Sequence, residues 1–357
     1  MSISLGLFDI MQIDPTDPTG HGEVYRRRLD DLAFADEIGL DVAFTAERHF
    51  LANYRASAPN AWLGAASQRT RRIRLGVLAY TLPLHSPVRL AEEVAVLDHL
   101  SSGRLEVGLG LGHRPEELVA TGVDPTRRIP IFQERLAIMQ ALWSGGQVAI
   151  ESEYDTVREV AINPTPLQEP HPPLWYAGGS PDATGWAGSY GLSLAVGFAP
   201  LRDLVPATAA FKAGYRSRRQ DPDEATPPGA GRIALMRHLY VAESDERAKT
   251  EMTDDLLRLH ELRQPAVDGD RTERRAAAAA EADRLIRDEI YFAGGPETVA
   301  RGIAFAHRTL GVDLFLGNPY AAGIDDERVR RTMRLLAGDV ARALAEIAAE
   351  PTPDSAG

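Results

Sequence analysis

Between Phe44 and Gly112, short apolar runs alternate with longer stretches in which apolar residues recur every three or four positions. A chain that switches between strand and helix period in this way commits to parallel β-strands joined by helical crossovers. The alternation continues on both sides. Candidate strands are Ser4–Phe8, Val42–Thr45, Leu75–Ala79, Leu105–Leu109, Leu174–Ala177, Leu194–Gly197, Ile233–Val241 and Val312–Leu316, most of them bounded by Gly, Pro or Asp. Helical patterns cover Val24–Ile38, Pro87–His99, Pro130–Trp143, Asp182–Ser189, Asp245–Leu262, Pro296–Leu310 and Asp326–Ala349. In the second of these, Val88, Leu90, Ala91, Val94 and Leu97 mark one buried face. Eight strands, each followed by helix, predict a (β/α)8 TIM barrel.

Three segments interrupt the rhythm. Val148–Val160 reads as a hairpin inserted after the fourth unit, and Asp221–Gly231 reads as a Pro/Gly loop. Arg263–Arg284, charged and Ala-rich, reads as a long lid loop near the seventh strand, because loops of that length in barrels are usually functional or disordered. A single domain is expected over residues 1–350, with a disordered tail, PTPDSAG, at 351–357.

Composition narrows the function classes. The 357 residues, 44% hydrophobic and 25% charged, suffice for a large core. No run approaches the roughly 18 to 20 apolar residues of a membrane helix, and MSISLGLFDI lacks the basic and apolar regions of a secretory signal. The sequence therefore predicts a cytoplasmic protein away from membranes. A net charge of −12 argues against a nucleic-acid surface. The absence of cysteine removes disulfides, thiolate metal sites and Cys nucleophiles together, and no metal is expected.

Barrel chemistry sits at the C-terminal ends of the strands. After the second strand come Glu47, Arg48, His49 and Phe50, either a surface turn with a Glu47–Arg48 ion pair or a site where His49 exchanges protons near neutral pH. After the third, Leu78 and Ala79 read on their own as core. After the fourth, Gly108, Gly110 and Gly112 alternate without forming the dinucleotide fingerprint, and suit close backbone approach to a planar ring, with His113, Arg114 and Glu117 on the same loop. After Leu174–Ala177, Gly178, Gly179 and Ser180 lead into Pro181. That is either a βα turn capped by Ser180 or free N–H groups at a positive dipole end that suit an anion.

Glu47, His49 and Phe50, and then LP-x-x-x-PVR-x-AE-x-x-x-LD-x-x-S-x-GR from Leu82 to Arg104, resemble the bacterial luciferase-like family of flavin-dependent monooxygenases. The resemblance covers nearly the whole chain, from Leu5 to Ala349. It implies an enzyme that receives reduced FMN from a separate reductase and uses O2, through a C4a-peroxyflavin, to oxygenate a small organic substrate. It also implies a homo- or hetero-dimer. Glu47, His49 and His113 become candidate catalytic residues. Leu78 and Ala79, joined by a non-proline cis peptide at a bulge, become cofactor contacts with Gly110, Arg114, Gly178, Gly179 and Ser180, and Trp186 aligns beside the phosphate loop. The family has two histidines after the glutamate. Here Arg48 occupies the first position, the one assigned to base work, and it cannot act as a base. Leu111 replaces a phosphate-binding Arg, and His85 sits one place before a family histidine. Three alternatives stay open: hydride transfer with the deazaflavin F420, a non-catalytic flavin- or ligand-binding relative, and a phosphate-sugar barrel enzyme.

Overall fold

The computed structural model describes residues 3–13, 19–218, 229–263, 271–320 and 324–349. Its strands are β1 (Ser4–Asp9), β2 (Val42–Thr45), β3 (Arg74–Thr81), β4 (Leu105–Gly110), β5 (Val148–Glu151), β6 (Thr156–Val160), β7 (Leu174–Ala177), β8 (Ser193–Gly197), β9 (Ile233–Val241), β10 (Tyr291–Gly294) and β11 (Leu314–Asn318). The helices are α1 (His21–Ile38), α2 (Pro59–Arg69), α3 (Pro87–Leu100), α4 (Pro115–Ala120), α5 (Arg128–Trp143), α6 (Pro181–Ser189), α7 (Leu201–Ser217), α8 (Asp245–Arg263), α9 (Arg271–Arg287), α10 (Pro296–Leu310), α11 (Asp326–Leu335) and α12 (Ala341–Ala349).

Strands β1, β2, β3, β4, β7, β8, β9 and β11 pair in parallel, and the β8–β9 ladder closes them into an eight-stranded barrel. Side-chain alternation builds two cores from one strand set. Phe8, Phe44, Leu78, Trp175, Ala234, Met236 and Leu316 point inward. Leu5, Leu7, Leu75, Val77, Val107 and Leu109 point outward into the layer beneath the helices, to which α3 contributes Leu90, Ala91, Val94 and Leu97. The predicted helix face is thus buried as its spacing required, with Pro87 at the first helical turn.

The hairpin expected at Val148–Val160 forms as β5 and β6, paired antiparallel. The segment read as a long loop does not stay a loop. Its Ala-rich part is helix α9, whose Ala278 and Ala282 are buried, Ala282 in a small core with Ala248 and Met252 of α8. The local helix preference of alanine overrides the inference drawn from segment length. Residues 264–270, most of the Asp221–Gly231 loop and the 351–357 tail lie outside the described residues. A further strand, β10, extends the sheet beyond the barrel by pairing with the last four residues of β9, Tyr291 opposite His238 through Gly294 opposite Val241.

The N-terminal end of the barrel is closed by a buried polar knot. Glu106 of β4 is 1% exposed and accepts hydrogen bonds from Trp175 Nε1 at 2.5 Å, Arg74 Nε at 2.6 Å and Arg232 Nη2 at 3.1 Å. Arg232 also lies over the Trp175 ring, 4.8 Å from its centroid. Conservation of charge and shape matters here, because every donor depends on one carboxylate. Glu106→Ala is expected to cost about 3 to 5 kcal/mol, the scale for breaking a buried ion pair, and Glu106→Gln less. Urea unfolding measures it. A midpoint unmoved by Glu106→Ala would show that Arg74 and Arg232 find water at no cost.

Candidate active site

At the opposite, C-terminal end, β3 departs from regular pairing. Its register against β4 shifts between Val77 and Tyr80, and the Leu78–Ala79 peptide is cis. Both features were expected from the family resemblance. The bulge presses on Gly108 of β4, where a Cβ would lie 2.2 Å from the Val77 carbonyl oxygen. Gly108 therefore serves strand packing, whereas Gly110 two residues on lines open space. Gly112, at φ 75°, turns the chain out of the strand.

The bulge forms one wall of a cavity of about 380 Å3. Leu78, Ala79 and Thr81 of β3, Gly110–His113, and Tyr176–Gly178 surround it, with Phe8, Phe198 and Met236 as an apolar side and Arg48 and Arg128 as charged members. Among the described residues no Asp or Glu lines it. A second cavity of about 390 Å3 adjoins it, sharing Leu111, Tyr176 and Arg128 and continuing past Ser180 and Asp182 at the start of α6. Arg128 stands where the two meet, its Nη1 donating to the Gly112 carbonyl at 3.0 Å. Ser180 is the N-cap residue of α6, but its side chain makes no capping hydrogen bond, so the hydroxyl is not spent on the helix. Gly179 has no atom within 4 Å of where its Cβ would be, which leaves the turn open.

Around the rim, Glu47 is 1% exposed and ties two strand ends together. Its Oε2 accepts the Thr81 N–H at 2.5 Å, and its Oε1 lies 2.7 Å from His85 Nε2 and 3.2 Å from His49 Nε2. Burial alone would raise the Glu47 pKa, but contacts with His49 and His85 and the Thr81 N–H hold it at about 2. The carboxylate in turn raises His49, against the effect of burial. The Glu47–Arg48 side-chain pair considered for the sequence does not form: Arg48 Nη1 donates instead to the Glu47 carbonyl at 3.1 Å. Phe50 is 70% exposed and takes no part in the cavity.

The predicted residues are thus divided. Leu78, Ala79, Gly110, Gly178 and His113 line the inner cavity, and Ser180 lines the outer one. His49 faces Glu47 behind Arg48, with its backbone N–H 3.4 Å from Glu117 Oε1. Arg114 stands at the start of α4, its Nε 3.7 Å from Glu117 Oε1, and lines neither cavity. Arg128 was missed in the sequence because it lies one helix further on, at the start of α5, where an arginine carries no local signal. His85 was undervalued: only the fold shows that it shares Glu47 with His49.

The chain matches the luciferase-like monooxygenase family model over residues 3–313. It belongs to that family. It is 34% identical to protein y4wF of Sinorhizobium fredii over 69% of each chain. With the oxygenase component of the flavin-dependent trigonelline monooxygenase of Acinetobacter baylyi it shares 28% identity over 64% of this chain and 62% of that one. Monooxygenase RslO1 of Streptomyces bottropensis superposes with a TM-score of 0.79 at 23% identity, covering 95% and 99% of the two chains. The oxygenating constituent of 3,6-diketocamphane monooxygenase of Pseudomonas putida, in complex with FMN, gives 0.77 at 18% over 96% and 98%. The F420-dependent tetrahydromethanopterin reductase of Methanopyrus kandleri gives 0.69 at 18% over 96% and 100%. The barrel is therefore that of the luciferase-like monooxygenases, and the chain is an enzyme of that class. Among the described residues no helix is long and apolar enough to cross a membrane.

Proposed function

We propose that this enzyme is the oxygenase of a two-component system, taking reduced FMN from a separate reductase and using O2 to oxygenate a small organic substrate. One observation carries the reading: two joined cavities at the ends of β3, β4 and β7, with Arg128 at their junction and an uncapped Gly178–Ser180 turn beside it. The residues fit a flavin mononucleotide. The inner cavity has small residues at the bulge and Gly110 on its wall, and the outer one offers a guanidinium and open helix N–H groups for a phosphate. The flavin, when bound and reduced, supplies the electrons that activate O2.

The chain's own residues do the rest. Phe8, Phe198 and Met236 keep water from one side of the inner cavity. Glu47 fixes the β2 loop against the end of β3 through Thr81, so the wall holds its shape. Burial and the neighbouring Arg48 lower the pKa of His113, which keeps its imidazole neutral and able to accept a proton from substrate at pH 7. His49, held toward its protonated form by Glu47, is a reserve donor behind Arg48.

Titration of the purified protein with FMN, reduced FMN and F420, followed by oxygen uptake, tests the reading. Binding of FMN species and reductase-dependent oxygen consumption are expected. Binding of F420 alone, with no oxygen consumption, would replace oxygenation by hydride transfer.

A further inference from the structure

The inner cavity contradicts the charge of the protein that contains it. The chain carries a net charge of −12, yet the cavity is lined by Arg48, Arg128 and His113 and, among the described residues, by no carboxylate. Arg128 adjoins the outer cavity and is accounted for if the cofactor phosphate lies there. Arg48 is not. It lines the inner cavity alone, on the side of Thr81 and His113.

Arg48 is also underused. Its guanidinium makes one hydrogen bond among the described residues, to the Glu47 carbonyl, and pairs with no described carboxylate within 4.0 Å. The two nearest acids are committed elsewhere: Glu47 to Thr81, His85 and His49, and Glu117 to the His49 N–H and Arg114. Burial lowers the Arg48 pKa and Arg114 adds to the lowering, while Tyr54, Glu117 and Glu47 act against it. A guanidinium does not deprotonate in proteins, so it stays as a half-buried cation with free donors on the cavity lining. Such a group is stabilised by an anion brought to it, and its planar fork matches a carboxylate.

We propose that the inner cavity selects an organic acid, with Arg48 pairing to the substrate's carboxylate and the Phe8, Phe198 and Met236 side receiving its apolar body. This rests on the reading of Arg128 and the α6 turn as the cofactor's phosphate site. Arg48 is then the specificity-determining residue, standing where the family resemblance places an imidazole.

The test uses three acid and amide pairs of equal shape: benzoate and benzamide, nicotinate and nicotinamide, cyclohexanecarboxylate and its carboxamide. Each is titrated calorimetrically into the FMN-saturated protein and into the protein without flavin. At least one acid is expected to bind about tenfold or more tighter than its amide, the scale of a charge-assisted hydrogen bond. Arg48→Gln should erase that preference, and Arg48→Lys, which keeps the charge and loses the fork, should restore part of it. Amides that bind as well as their acids in all three pairs overturn the proposal. So does an acid preference that survives intact in Arg48→Gln, since the anion would then sit on Arg128 or His113. If FMN fails to bind while the Arg48-dependent preference remains, the flavin reading falls and the assignment of Arg48 stands.

Discussion

Arg128→Ala is expected to weaken FMN binding by about 10- to 100-fold, because hydrogen bonds to a charged partner contribute about 1.5 to 3 kcal/mol. Riboflavin has the same ring system and no phosphate, so its affinity should change much less. The contrast matters more than either number. Arg128 also donates to the Gly112 carbonyl, and a variant that merely loosened this turn would weaken both ligands alike. Equal losses for FMN and riboflavin would therefore assign Arg128 to the loop, and an unchanged FMN affinity would move the phosphate away from α6. The same titration at rising salt gives a second reading, since a partly exposed phosphate contact is screened by added ions.

His113→Ala is expected to lower the rate of product formation by about 10², the usual size of a general acid–base contribution. The pH dependence separates a chemical role from a structural one. His113 has a lowered pKa, so its proton-accepting form should persist below the ordinary 6.5 and activity should fall only as pH drops through that lowered value. The Arg48 cation contributes to the lowering after burial. In Arg48→Gln the limb should accordingly move up, toward 6.5. The His113 ring resonance, followed by NMR, reads the same shift without any substrate. A His113→Ala variant with full activity would transfer the proton to His49, whose pKa is shifted the other way by Glu47.

The barrel was legible because its eight strands and most of its helices carry their own period. β2, β7 and β9 were placed to the residue, and the other ends moved by only one or two positions. β10 escaped because four residues, Tyr291–Gly294, give too short a run to show alternation, and it exists as a strand only by pairing with β9. The α9 segment was misjudged because an Ala-rich charged run has no apolar stripe to announce a helix, although its alanines favour one. At the site, residues lying on strand ends were found: Glu47, Ala79, Gly110 and Gly178 all occur within a few positions of a recognisable strand. Arg128 was not, since it reaches the cavity from α5 across a loop that the sequence does not close. The pairing of Glu47 with His85 likewise depends on how the β2 and β3 ends converge, which no spacing within either segment encodes.

Strand β9 outlasts the barrel it helps to close. It leaves its β8 partner at Met236 and runs on beside β10, and the four residues paired there add roughly 13 Å along the strand. On that flank the rings of His238 and Tyr291 stack at 4.6 Å, and Phe198, which lines the cavity, packs 4.9 Å from His238. Arg48, His113 and Arg128 come from the opposite arc, after β2, after β4 and on α5. The two sides thus differ in polarity: an aromatic stack on the β9 side faces cationic residues on the other. A molecule with one charged end and one greasy end has a single comfortable orientation across such a gap. Orientation at the reacting centre can then be set by the polarity of the two sides, before any contact with the chemistry below them.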